Sequence, residues 1–156
     1  MDLKGLLGRF TAAVEKGDGK ALAQLFAEDG VYVDGFYGPF QGRAKIEEMI
    51  RDHFCGHAKD FKWDMLDPVC DGKTGYARYM FSYVSTMPES AGKKVIFDGM
   101  CKLELDANGQ IKRYTEQFDA GVALSQLGYA AERILKIEQK RARAVANDPA
   151  AKRHVA

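Results

Sequence analysis

Cysteine is sparse and odd in number. Cys55, Cys70 and Cys101 lie far apart, which excludes a disulfide framework and predicts reduced, buried thiols. An excess of either charge is also missing: 23 Lys and Arg face 22 Asp and Glu, leaving +1. That balance gives no general electrostatic affinity for nucleic acid, which is not an expected partner. Only the last thirty residues lean basic. No apolar run approaches the roughly 20 residues needed to span a bilayer, and the N-terminus sets Lys4 and Arg9 in an amphipathic pattern instead of a secretory signal. A soluble, cytoplasmic protein without a membrane partner is the expectation.

Nucleotide chemistry is excluded on similar grounds. Gly38-Pro39-Phe40-Gln41-Gly42 lacks the Lys and Ser/Thr of a phosphate loop, and neither a nucleophile elbow nor a dinucleotide fingerprint occurs. His53, Cys55 and His57 resemble part of a metal site, but no distant cluster completes a four-ligand set. No cofactor and no metal are expected. There is also no internal repeat.

What the chain does have is an ordinary globular balance, 46% hydrophobic and 29% charged, in 156 residues. That length suits one core burying roughly two thirds of the surface the unfolded chain exposes. Leu3, Leu6, Leu7, Phe10 and Val14 recur at helical spacing, and a shorter helix carrying Leu22, Leu25 and Phe26 follows Gly17-Asp18-Gly19. A strand is predicted over Val31 to Asp34. A Gly-rich loop then leads into a helix with Ile46, Met49, Ile50, His53 and Phe54 on one face, ending at Gly56.

From Phe61 the period changes to two. Phe61, Trp63 and Met65 mark one strand, and Ala77, Tyr79, Phe81 and Tyr83 another, each with an aromatic face. A third runs from about Lys94 to Leu105, and after the Asp106-Ala107-Asn108-Gly109 turn a fourth spans Ile111 to about Phe118. These strands predict an antiparallel sheet. Beyond Gly121 a helical pattern through Leu124, Leu127, Ile134, Leu135 and Ile137 continues to Asn147-Asp148-Pro149. Helices followed by antiparallel strands define an α+β domain, in which a strongly bent sheet wraps the N-terminal helices and encloses a cone. Residues 1–120 make that domain and residues 121–156 a C-terminal helical extension with a basic tail. Aromatic faces turned into the cone would line a small-molecule pocket.

With GRFTAAVEKGDGKALAQLFAEDGVYVDGFYGPFQGRAKI near the start and DGMCKLELDANGQIKRYTEQFD near the end, the chain resembles the SnoaL-like and ketosteroid-isomerase-like branch of the nuclear transport factor 2-like superfamily over about residues 3–120. The resemblance implies a cone-shaped α+β barrel that dimerises through its sheet, with a deep pocket open at one end. Members include isomerases, polyketide cyclases, dehydratases, epoxide hydrolases and non-enzymes, so fold alone decides little about function. In the isomerase branch the general base ends the first strand, eight residues after the Phe of the LFA motif. That count from Phe26 reaches Asp34.

Ketosteroid isomerase also uses a Tyr and a protonated Asp as oxyanion donors. The corresponding positions here hold Phe10 and Cys101, while Asp98 alternates to the opposite face from Cys101. A steroid isomerase of identical mechanism is not expected.

Asp34, among Tyr32, Phe36 and Tyr37, is the candidate general base; the alternative is a turn-forming Asp before Gly35. Glu116 and Tyr114 share a strand face with Phe118, which makes them candidate acid partners, although Glu116 could instead pair across the sheet. Tyr32, Phe36, His53, Trp63, Tyr79, Phe81, Tyr83, Cys101 and Phe118 are candidate substrate contacts, with core packing as the alternative for each. The expected function is cofactor-independent isomerisation, cyclisation or dehydration of a small apolar or polycyclic carbonyl compound. The rival is a non-catalytic module of the same fold that binds a hydrophobic ligand.

Overall fold

Leu3, Leu6, Leu7, Phe10, Ala13 and Val14 form one buried stripe on the first helix of the computed structural model, which describes residues 2–156. That helix, α1 (Leu3–Glu15), begins where the Asp2 side chain accepts the Gly5 N–H at 2.8 Å, satisfying a backbone donor that the first turn leaves free. Asp18 caps α2 (Gly19–Gln24) in the same way through Ala21 N–H. Each large side chain of the α1 stripe withdrawn from water stabilises the fold by about 1.5–3 kcal/mol, so the stripe fixes α1 against the sheet.

The sheet has six strands: β1 (Phe26–Asp34), β2 (Gly38–Gln41), β3 (Ala58–Cys70), β4 (Thr74–Ser85), β5 (Lys94–Leu105) and β6 (Ile111–Phe118). Their order is β2-β1-β6-β5-β4-β3, open at both edges. The expectation of an antiparallel sheet holds for every junction but one: β1 runs parallel to β6, pairing Tyr32 with Tyr114. Because β6 is far along the chain, neither strand announces that direction locally. β1 also begins earlier than Val31, at Phe26, across an irregularity that interrupts its pairing with β6.

Two interruptions of the β3–β4 ladder bend the sheet, one between Lys59 and Lys62 and one between Leu66 and Val69. Within them Asp60 and Asp67 adopt left-handed backbone angles (φ 55° and 51°), a conformation Asp tolerates better than most residues. The bent sheet curls around α1, and together they form an α+β cone.

Between β2 and β3 the helix is divided into α3 (Arg43–Glu48), a π-helical stretch (Met49–Phe54) and a last turn, α4 (Cys55–His57), one residue beyond the expected end at Gly56. The expected terminal helix is two helices, α5 (Ala120–Gln126) and α6 (Ala131–Ala146). Gly128, at φ +80°, ends α5: its N–H reaches Ser125 O, and the next N–H, on Tyr129, reaches Leu124 O. This paired closure needs a left-handed residue, and hydrophobic periodicity carries no record of it. The cysteine expectation holds only for Cys101; Cys55 and Cys70 are exposed, on α4 and near the end of edge strand β3. No helix among the described residues is long and apolar enough to cross a membrane.

Candidate functional site

Strand alternation sets the site. Along β1 the inward residues are Tyr32 and then Asp34; along β6 they are Tyr114, Glu116 and Phe118. At the narrow end of the cone, Tyr32 and Tyr114 pack at a tilt with 4.6 Å between ring centroids, and Phe10 of α1 packs on both, at 5.9 and 4.9 Å. These rings seal the narrow end. Two residues further along each strand, Asp34 and Glu116 stand above that seal, on the wall of a cavity of about 650 Å³.

Asp34 is only 5% exposed. Its Oδ1 accepts the N–H groups of Phe36 (2.8 Å) and Tyr37 (2.9 Å), so the tight turn after β1 holds the carboxylate in place. Among the described residues Oδ2 has no hydrogen-bond donor, which leaves it available to a ligand. Burial raises the Asp34 pKa; the two amide bonds and the electrostatic influence of nearby His53 and Arg141 oppose that rise without cancelling it.

Glu116 is held from three directions. Gly35 N–H donates to Oε1 at 3.0 Å, while the hydroxyls of Tyr114 (3.1 Å) and Tyr79 (3.5 Å) reach Oε2. Burial, reinforced by the neighbouring Asp34 charge, pushes the Glu116 pKa up to about 8, against the lowering effect of these three bonds. Both carboxyls therefore favour their protonated forms more than ordinary carboxyls do. They titrate as a pair rather than as two independent groups. Gly35 makes this packing possible, because a Cβ there would overlap the Phe118 ring.

The remaining walls are aromatic. Phe36, Trp63, Tyr79, Phe81, Tyr83 and Phe118 all face the cavity, as does His53. Burial raises the hydroxyl pKa of Tyr79 beyond the usual phenol range and that of Tyr83 to about 12, so both remain neutral donors. Tyr32, Tyr114 and Cys101 do not line the cavity. The two tyrosines belong to the ring seal, and the Tyr114 hydroxyl reaches the site only through Glu116. Cys101 is buried against Met65, and burial pushes its thiol up to about 12. Phe10 likewise stays inside the core, and Asp98 is exposed on the outer face. Neither isomerase donor position therefore presents a donor to the cavity.

Several residues outside the expected substrate contacts also line the cavity. The Tyr37 hydroxyl sits 2.8 Å from His57 Nδ1, and the Tyr37 ring packs 4.9 Å from that of His53, which gives the rim a phenol–imidazole pair. His53 and His57 sit four residues apart, a spacing that puts them on one helix face, but without Tyr37 in view it reads only as an incomplete metal motif. Phe97 on β5 and Arg133, Lys140 and Arg141 on α6 also line the cavity. Helical periodicity shows that α6 has a polar face, not what that face covers.

The sequence pattern of the SnoaL-like domain matches residues 7–114. The chain belongs to that family. Several solved structures share its fold. A protein of ketosteroid isomerase-like fold from Catenulispora acidiphila, in complex with trimethylamine, is 19% identical with a TM-score of 0.72, over 81% of this chain and 95% of its own. A protein from Xanthomonas campestris proposed to be a polyketide cyclase is 21% identical with a TM-score of 0.65, over 80% and 95%. An LEH-like epoxide hydrolase from Mycobacterium tuberculosis is 17% identical with a TM-score of 0.64, over 79% and 86%. No curated protein matches this chain. The SnoaL-like match stops at residue 114, so α5 and α6 lie beyond it.

Proposed function

We propose that this SnoaL-like protein is a cofactor-independent enzyme that moves protons on a small apolar or polycyclic carbonyl compound, as an isomerase, cyclase or dehydratase. One observation carries the reading: two secluded carboxyls, each shifted by burial toward its protonated form, share a cavity wall. Asp34, ionised and with Oδ2 free, removes a proton from the carbon next to the carbonyl. Glu116 donates its proton to the carbonyl oxygen, giving a neutral enol and leaving the charge on Glu116. As Glu116 takes back the enol proton, the proton now on Asp34 goes to another carbon in isomerisation, to the oxygen of a second carbonyl attacked by the enol carbon in cyclisation, or to a departing hydroxyl that leaves as water in dehydration.

Tyr114 has a positioning role here, since its hydroxyl touches Glu116 and not the cavity. The protonated Glu116 takes the part that the isomerase branch gives to donors at the positions of Phe10 and Cys101. Those two vacated positions favour a second reading, a carrier that binds a hydrophobic ligand without turning it over. Dimerisation is part of the proposal: Tyr76, Ile96 and Met100 leave apolar surface exposed on the outward face of β4 and β5.

Solvent exchange separates enzyme from carrier. Polycyclic ketones incubated with the protein in heavy water should incorporate deuterium next to the carbonyl, followed by proton NMR. The Asp34→Asn variant should lose about 100-fold or more of that rate while keeping its circular dichroism spectrum. Binding without exchange would favour the carrier, and exchange unchanged in Asp34→Asn would remove Asp34 from the mechanism. Native mass spectrometry of freshly purified protein would report both a retained ligand and the dimer.

A further inference from the structure

Helix α6 lies across the cavity mouth, and the residues it turns inward are Arg133, Ile137, Lys140, Arg141 and Ala144. Their spacing of four, three, one and three residues follows a single helix face. Three of the five are cations. None of the three forms an ion pair among the described residues, where the bridges are Lys45–Glu48, Arg51–Asp52 and Lys102–Glu104. None donates a hydrogen bond to a described residue either. Aromatic faces position the guanidinium groups instead: Arg133 lies 3.9 Å from the Tyr129 ring centroid and Arg141 5.6 Å from that of Phe118. The N–H donors of both remain unspent beside an apolar chamber.

The two carboxyls stand at the ends of β1 and β6, where a carboxylate repels an anion, and Phe118, whose ring Arg141 covers, follows Glu116 by two residues on β6. The cavity is thus polarised, negative at Asp34 and positive along α6, with the Phe118 ring between Arg141 and the carboxyl turn. We propose that it selects an amphipathic acid, a flat apolar ring system ending in a carboxylate, and that Arg141 and Lys140 hold the carboxylate at the mouth so that the neutral end enters first. The inference rests on the proposed reading of this cavity as the substrate site and names the substrate class. A guanidinium beside a flexible ammonium suits a carboxylate, which accepts bidentate and charge-assisted bonds. The placement also orients the ligand, because reversing it would bury a carboxylate beside Asp34.

Pyrenebutyrate and pyrenebutanol share an apolar body and differ in charge, and their fluorescence reports binding. The protein should bind the acid roughly tenfold or more tightly than the alcohol at low salt, an advantage that shrinks as sodium chloride is added. The Lys140→Met/Arg141→Met double variant should lose the acid's advantage while keeping alcohol affinity within about twofold, and Arg141→Lys should retain most of it. Equal affinity for the two probes, no binding of either, or a parallel loss of both in the double variant would overturn the inference. Asp34→Asn distinguishes this failure from failure of the catalytic reading: it should abolish deuterium exchange yet keep or increase the acid preference, because it removes a repelling charge. Exchange that depends on Asp34 in a protein with no acid preference would sink the ligand class alone.

Discussion

The N–H of Gly35 donates to Oε1 of Glu116 at 3.0 Å, so the peptide that follows the candidate base holds the candidate acid. The end of β1 and the end of β6 meet there, at the one parallel junction of the sheet. Displacing either carboxyl disturbs the other, which makes the pair a single functional unit. Several consequences are measurable.

Replacing Glu116 with Gln should change how stability depends on pH. Glu116 is raised from the usual 4.5 to about 8 in the folded chain, so its contribution is complete below about pH 4.5 and is lost as pH rises through about 8. Thermal midpoints of the unsubstituted protein should fall across that window. In Glu116→Gln the fall should flatten, leaving a smaller slope of the same sign from Asp34, whose pKa is also raised. Parallel curves for the two proteins would remove Glu116 from this account.

Tyr114→Phe should act on acidity rather than on shape. Loss of its hydrogen bond costs about 1 kcal/mol of stability, and because that bond lowers the Glu116 pKa, its removal should move the alkaline limb of the exchange rate to higher pH. A purely structural Tyr114 would change the denaturation midpoint and leave the limb in place.

Gly35→Ala places a methyl group where the Phe118 ring now lies. The ring is held by Phe97 and Phe36, at centroid distances of 4.5 and 4.9 Å, so relief requires a backbone shift at about 1–3 kcal/mol. Urea denaturation should report that cost, and the shift should move the Gly35 amide away from Glu116, raising the alkaline limb as in Tyr114→Phe. A full-stability variant with an unchanged pH profile would contradict the packing described here.

The order of the elements and the family were legible in the sequence because period-two aromatic strands and capped amphipathic helices leave local signatures, and Asp34 could be counted from Phe26. What remained hidden depended on distant partners. Tyr114 and Glu116 share an inward face, as alternation requires, yet only the ring seal of Phe10 and Tyr32 explains why one reaches the cavity and the other does not. Exposure of Cys55 and Cys70 follows from the last turn of α4 and from the open edge of the sheet at β3, neither of which composition records. The parallel direction of β1 against β6 and the cations that α6 brings over the mouth likewise arise only when segments remote in sequence come together.

The shared proton is the centre of the account, and carbon-13 NMR titration of the Asp34 and Glu116 side-chain carboxyls, assigned through Asp34→Asn and Glu116→Gln, tests it most directly. Glu116 should remain protonated at neutral pH and ionise near 8, and its midpoint should fall once Asp34 is replaced. Two carboxyls that both ionise in the ordinary carboxylate range, indifferent to each other's replacement, would contradict it.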